Sequence, residues 1–204
     1  KLKVYISQKN LFSQNNLDIT KIVIEDANFI IKEDDFEFFN KFLMNKFSKK
    51  KIKINNINFF YKNFDDEIIS ILPIKNLELF HDDNEIINKI DMKGKVFKTP
   101  FHFYWNKNFE KETKIITSLK FKRLKLDVKN ILHKKENKQY GRNDINFLTS
   151  KLRTLFNKQD NIINFDSGNI DNLNDQLIYK GIINLNPFNL DLDLNLKKIN
   201  FNNF

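Results

Sequence analysis

Three histidines, His81, His102 and His133, are the first side chains to weigh for chemistry, because imidazole ligates metals and moves protons near neutral pH. None stands at the His-x-x-x-His spacing that brings two rings to one zinc ion, so each reads as a structural or solvated histidine. Carboxylates cluster at Asp65-Asp66 and Asp82-Asp83 and alternate at Asp191, Asp193 and Asn195, patterns that could serve acid–base work or hold calcium. The last group interleaves with Leu190, Leu192 and Leu194, which is the wet side of a strand, and the two pairs read as turns. Cysteine is absent, which removes disulfides, thiolate ligands and thiol nucleophiles together. There is no glycine-rich phosphate loop, nucleophile elbow or zinc-protease signature. The expectation is a chain that is not an enzyme, with no metal and no cofactor.

Basic residues are the next candidates, since the formal net charge is +9. Clustered Lys and Arg attract phosphate, in nucleic acid or at an anionic membrane. A blander source competes: Lys, Asn, Ile and Phe are all abundant, and all use codons rich in A and T. The run Ser48-Lys49-Lys50-Lys51 reads as a solvated helix end. The interleaving of Phe121, Lys122, Arg123 and Lys125 is the one feature favouring a basic β-sheet module that binds nucleic acid, held as the alternative reading.

The elements that must position these residues are mostly strands. Apolar and polar residues alternate with period two from Leu2, Val4 and Ile6 onward. Ile22 and Ile24, a turn at Asp26-Ala27-Asn28, and Phe29 to Ile31 predict a hairpin, and so do Ile52 to Tyr61 on either side of Asn55-Asn56. Further strands are expected at 68–74, 77–80, 86–92, 95–105, 113–121, 124–128, 147–156, 162–165, 177–185, 188–196 and 199–201. The polar region from His133 to Asn143 reads as a long exposed loop. Only 35–47 departs from period two: Phe36, Phe39, Leu43 and Phe47 mark one face of an amphipathic helix, with Asp34 or Asp35 as its cap and Lys46 and Lys49 to Lys51 at its negative end. An aromatic content of 14%, with four Gly and three Pro in 204 residues, fits one continuously structured β-rich segment spanning 1–204.

Those scarce residues repeat. Lys93-Gly94 precedes Pro100-Phe101, and Lys180-Gly181 precedes Pro187-Phe188, with six residues from Gly to Pro in both copies, around 86–105 and 177–196. A strand glycine permits a bulge or a close backbone approach, and a proline cannot donate to a ladder, so Gly94, Pro100, Gly181 and Pro187 are expected to be equivalent strand-bend positions. Each copy carries apolar residues of matching parity: Val96, Phe101, Phe103 and Trp105 in the first, and Ile183, Phe188, Leu190, Leu192 and Leu194 in the second.

With the segment from Lys180 to Phe188 and its alternating Leu tail, its earlier copy, and Lys51-Ile52-Lys53-Ile54-Asn55-Asn56-Ile57-Asn58-Phe59-Phe60-Tyr61, the chain resembles the AsmA-like family of bacterial envelope proteins, TamB-type members included. The resemblance implies an extended, curled antiparallel sheet with an apolar inner surface, a groove or open barrel-like, and together with the helix read at 35–47 the expected fold is mainly β with one amphipathic helix near the N-terminus. It also implies a periplasmic segment tethered to the inner membrane and phospholipid acyl chains as partners, in transport between membranes or outer-membrane assembly. The nine apolar residues of the repeat are the expected groove lining. Burying a methylene is worth about 0.8 kcal/mol, so hiding a chain of about sixteen carbons is worth on the order of 12 kcal/mol. The sequence opens on Lys1 and has no apolar run long enough to span a bilayer, so the anchor is expected outside this segment.

Overall fold

A computed structural model describes residues 1–7, 18–136, 138–167 and 177–196. Period-two alternation becomes fourteen strands. They are β1 (Leu2–Ile6), β2 (Ile19–Glu25), β3 (Asn28–Lys32), β4 (Lys51–Lys62), β5 (Ile68–Asp82), β6 (Ile87–Val96), β7 (Thr99–Asn108), β8 (Thr113–Phe121), β9 (Leu126–Lys135), β10 (Lys138–Phe147), β11 (Ser150–Gln159), β12 (Ile162–Asp166), β13 (Leu177–Leu185) and β14 (Phe188–Leu196). The helix α1 (Phe36–Met44) follows a 3-10 turn at Glu33–Asp35. One sheet holds every strand in the order β1-β2-β4-β5 and on to β14, with β3 beside β4. The sheet is open, for β1 and β14 end the order without pairing to each other. The fold is the expected mainly β, extended sheet with one helix near the N-terminus.

From β4 to β14 the sheet is an antiparallel meander. Its beginning is not. The expected hairpin at Asp26-Ala27-Asn28 does not form: β2 and β3 both run parallel to β4, one beside its first half and the other beside its second. Asp26 takes a left-handed φ of 53°, which breaks the strand without reversing it, and its N–H donates to the Asn55 carbonyl. The expected turn at Asn55-Asn56 is likewise a kink inside one twelve-residue strand, with Asn56 at φ 51°. The expected loop from His133 to Asn143 is part of the β9–β10 hairpin; its polar side chains pair across strands, as when Asn130 Nδ2 donates to Asn143 Oδ1 at 2.6 Å. The strand expected at 199–201 lies outside the described residues.

Cross-strand register sorts side chains onto two faces. Ile54, Ile57, Ile74, Leu77 and Phe101 form the buried core of the inner face, ringed by Phe29, Phe59, Phe103 and Phe121. A single layer buries these residues by curling, so that bulky neighbours on adjacent strands close over them. Three glycines make the curl possible. Each is an inner-face residue with a phenylalanine ring lying over it: Phe101 over Gly94, Phe156 over Gly141 and Phe165 over Gly181. Pairing an aromatic with a cross-strand glycine lets backbones approach while the ring covers the gap. Gly94 and Gly181 are therefore alike, whereas the prolines are not: Pro100 is the second residue of β7, and Pro187 sits in the two-residue turn before β14. The Gly-to-Pro spacing is the same, but the turns fall at Phe97-Lys98 in one copy and Asn186-Pro187 in the other.

A Cβ on Gly141 would lie 2.0 Å from the Ile131 backbone oxygen, nearer than the 2.6 Å approach of backbone oxygen at Gly94 or Gly181. Gly141→Ala is expected to destabilise by about 3 kcal/mol or more, the range of severe backbone clashes, and to exceed Gly94→Ala in a urea titration. Equal, small effects at both sites would show that the curl does not depend on these close approaches.

Candidate functional site

Register places all nine expected lining residues on the inner face. On β6 and β7, Val96, Phe101, Phe103 and Trp105 share parity across the pairs Gly94 to Phe101 and Met92 to Phe103. On β13 and β14, Ile183 opposes Leu190, Gly181 opposes Leu192, Tyr179 opposes Leu194 and Leu185 opposes Phe188. Their surroundings differ sharply. Phe101 and Trp105 are buried, Val96 and Phe103 half-buried, while Leu190 and Leu194 are about half exposed and Phe188 is 75% exposed. The first copy is thus packed core, and the expectation that Phe101 and Trp105 line an open groove is corrected: Trp105 lies beneath Phe47, with ring centroids 5.9 Å apart, and Leu43 and Met44 pack beside them.

The covering piece is α1 with the extended segment that follows it. Phe36 meets the inner-face Tyr61, Phe39 and Leu43 are half-buried and Phe42 stacks on Phe47 with ring centroids 4.9 Å apart, but Phe38 faces out. Asp35 does not cap the helix; its side chain accepts from the Lys32 N–H at 2.8 Å. Nor do Lys46 and Lys49 to Lys51 serve its C-terminus, because the chain turns extended at Asn45 and carries Lys46 and Lys49 to Asp83. Instead Lys107, an inner-face residue of β7 only 7% exposed, donates from Nζ to the Met44 carbonyl at 2.6 Å and lies over the Phe109 ring. Beside it, fully buried Asn88 accepts from the Phe47 N–H at 3.0 Å and donates to the Asn45 carbonyl at 2.7 Å. The buried His81 Nδ1 lies 3.0 Å from Asn88 Oδ1, and the His81 backbone N–H donates to the Ser48 carbonyl. These three side chains form a polar clasp that holds the segment onto the sheet.

His81, Asn88 and Lys107 are cross-strand neighbours, and their row continues through Ile115, Leu132, Gly141, Phe156, Phe165, Gly181 and Leu192. Past the clasp the row is wholly apolar, from beneath Phe47 to the last described strand. A second apolar row runs Phe103, Leu119, Val128, Ile145 and Leu152. Between them lie Thr117, Asn130, Asn143 and Thr154, and the Thr154 hydroxyl meets Tyr179 Oη at 2.5 Å. Sequence reasoning missed Leu132, Phe156, Phe165 and the clasp. Two signals were available: Gly141 is one of only four glycines, and Lys107 continues the inner-face parity of Phe101, Phe103 and Trp105.

The outer face is charged. His102 contacts Asp91 at 2.9 Å, and His133 contacts Glu112 at 3.1 Å while stacking on Tyr140. Tyr140 also donates to Glu112, which holds the phenol above and the carboxyl below their ordinary values. Clefts of ≈ 750 and ≈ 780 Å³ open on this face, lined by both signs of charge, including Lys129, Asp144 and Arg153 in one and Lys180, Asp191 and Asp193 in the other. Phe121 packs inward on Phe101, so it offers no stacking platform among the neighbouring cations. Asp191, Asp193 and Asn195 point outward, opposite the leucines, and Asp82 pairs with Lys89. Comparison with family models, with curated proteins and with solved structures returns no match.

Asn88→Ala leaves the Phe47 N–H and the Asn45 carbonyl without partners and is expected to cost about 2–3 kcal/mol, read from denaturant unfolding; a loss under about 0.5 kcal/mol would mean that the clasp is not holding the segment. Lys107 supplies a pH test. Burial, then repulsion from Lys134, holds its ammonium below the usual lysine range. The unfolded chain therefore binds the extra proton between the folded pKa and about 10.4, and stability rises with pH across that window. The stability difference between wild type and Lys107→Met should shift in favour of wild type as pH climbs toward that value; a flat difference contradicts the assignment.

Proposed function

We propose that this chain is a segment of an AsmA-like envelope protein and that its inner face holds phospholipid acyl chains. The observation that carries the reading is the apolar row from Ile115 to Leu192. It crosses seven strands, β8 to β14, which at ~4.8 Å between strands spans about 29 Å, close to the ~30 Å hydrocarbon thickness of a bilayer. That length accepts one acyl chain or two end to end. Large contiguous apolar surface left open to water marks a site that something covers, and Leu190, Leu192 and Leu194 are open while Asp191 and Asp193 occupy the other face of the same strand. Ordered, curved apolar rows fit flexible hydrocarbon better than a folded partner, because no polar anchor interrupts them between Ile115 and Leu192. The lining is accordingly Leu132, Phe156, Phe165, Ile183, Leu190, Leu192 and Leu194, with the packed first copy as its closed end.

On this reading the segment is periplasmic, tethered to the inner membrane through a part outside it, and supports phospholipid movement between membranes or outer-membrane assembly. The feature that favoured the alternative, a nucleic-acid-binding sheet, was Phe121 among Lys122, Arg123 and Lys125, and Phe121 faces the core instead.

Photocrosslinking side chains placed at Leu192 and Phe156 are expected to capture phospholipid in cells, and one at Asp191 on the opposite face is not. Capture at all three positions, or at none, would end the acyl-chain reading. Native mass spectrometry of the purified chain should show lipid adducts that Leu192→Asp reduces.

A further inference from the structure

The turns at the strand ends differ in charge. At one end, the turn between β5 and β6 is acidic and neutralised: Asp83 by Lys46 and Lys49, and Asp82 and Glu85 by Lys89. At the other end, the β4–β5 turn carries Asp65, Asp66 and Glu67, with Asp66 paired to Lys32 and Lys62, and the next three turns contain no acid: Phe97-Lys98 between β6 and β7, Lys122 to Lys125 between β8 and β9, and Leu148-Thr149 between β10 and β11. Among the described residues, Lys95, Lys98, Lys122, Arg123 and Lys125 have no carboxylate partner, so this rim presents unneutralised positive charge.

Each of the three turns also exposes a large apolar side chain. Phe97 is 93% exposed, with Leu124 and Leu148 about half exposed. Turns two strands apart are about 10 Å from one another, so the three tips span about 20 Å along one edge. The Leu148 N–H donates to the Lys125 carbonyl at 3.1 Å, which ties two of the tips together. Apolar tips set among cations match the chemistry of an anionic bilayer surface, where hydrocarbon enters the headgroup boundary and ammonium or guanidinium groups meet phosphates. Nucleic acid would use the same cations but gains nothing from Leu124 and Leu148, which cannot stack on bases.

We infer that this rim, centred on Phe97, Leu124 and Leu148, docks the sheet onto an anionic membrane surface. The inference does not rest on acyl chains occupying the inner face, since the rim residues lie in the turns and the apolar rows lie within the strands.

Co-sedimentation of the whole chain with phosphatidylcholine vesicles, with and without phosphatidylglycerol, tests it. Binding is expected only to the anionic vesicles and should weaken with salt. Phe97 and Leu148 take left-handed φ of 46° and 54°, a conformation that asparagine tolerates better, so the double variant Phe97→Asn, Leu148→Asn should fold at least as stably. It is expected to lose at least tenfold in vesicle affinity. Lys98→Gln with Lys122→Gln should lose about fivefold per cation. The inference is overturned if neither vesicle binds, or if the asparagine double variant binds anionic vesicles as well as wild type. It is also overturned if a single-stranded oligonucleotide binds more tightly than the vesicles and indifferently to that variant, which would assign the rim to nucleic acid. Loss of vesicle binding without loss of the lipid adducts at Leu192 would separate the rim from the inner face.

Discussion

A sheet one layer thick has only its own curvature, and whatever piece of chain lies across it, to keep water from its apolar face. Among the described residues, fourteen strands share one nine-residue helix. Where α1 and its exit segment lie, Trp105 and Ile115 are buried; in β13 and β14, Tyr179 is the buried residue among those described, and the leucines are open. The glycine–phenylalanine pairs let the sheet bend enough to hide Ile57 and Ile74 nearly completely without a second layer. The gradient from closed core to open face follows from that shortage of cover.

The clasp shows what anchoring the cover entails. Buried amide and ammonium groups are tolerated only when their hydrogen bonds are met. Asn88 meets its own with the backbone of the segment it holds, and Lys107 uses the carbonyl that the end of α1 leaves free. Because these groups share a row with the apolar residues from Ile115 to Leu192, the same line of the sheet that fastens the cover at one side is bare hydrocarbon at the other.

Much of this was legible in the residues. Period two gives strand parity directly, and parity placed Leu190, Leu192 and Leu194 opposite Asp191 and Asp193 without any knowledge of the fold. Three kinds of information were not local. Direction was one: Asp26 and Asn56 look like hairpin turns, yet a single left-handed residue can kink a strand without reversing it, and the parallel partner that decides between these is thirty residues away. Burial was another, since Phe101 and Leu190 have the same parity but only one lies under a cover. Polar composition was the third. His133 to Asn143 reads as a loop because strands are expected to be apolar, but a strand whose outer face is wet and whose inner face carries an asparagine ladder has few apolar residues to show.

From β4 onward every strand pairs with its neighbours in sequence, and this meander gives the molecule a unit of length. In such a quasi-one-dimensional array each hairpin meets only the hairpins beside it, so stability accumulates unit by unit rather than through distant contacts. A duplicated hairpin adds two strands, which preserves both direction and parity, and the row through Gly141 and Gly181 would simply grow by about 10 Å. A single inserted strand would instead invert the chain's direction of travel and move its next turn to the opposite end. Growth by pairs is therefore the natural way for a chain of this design to become longer, and it would leave the clasp at one side undisturbed.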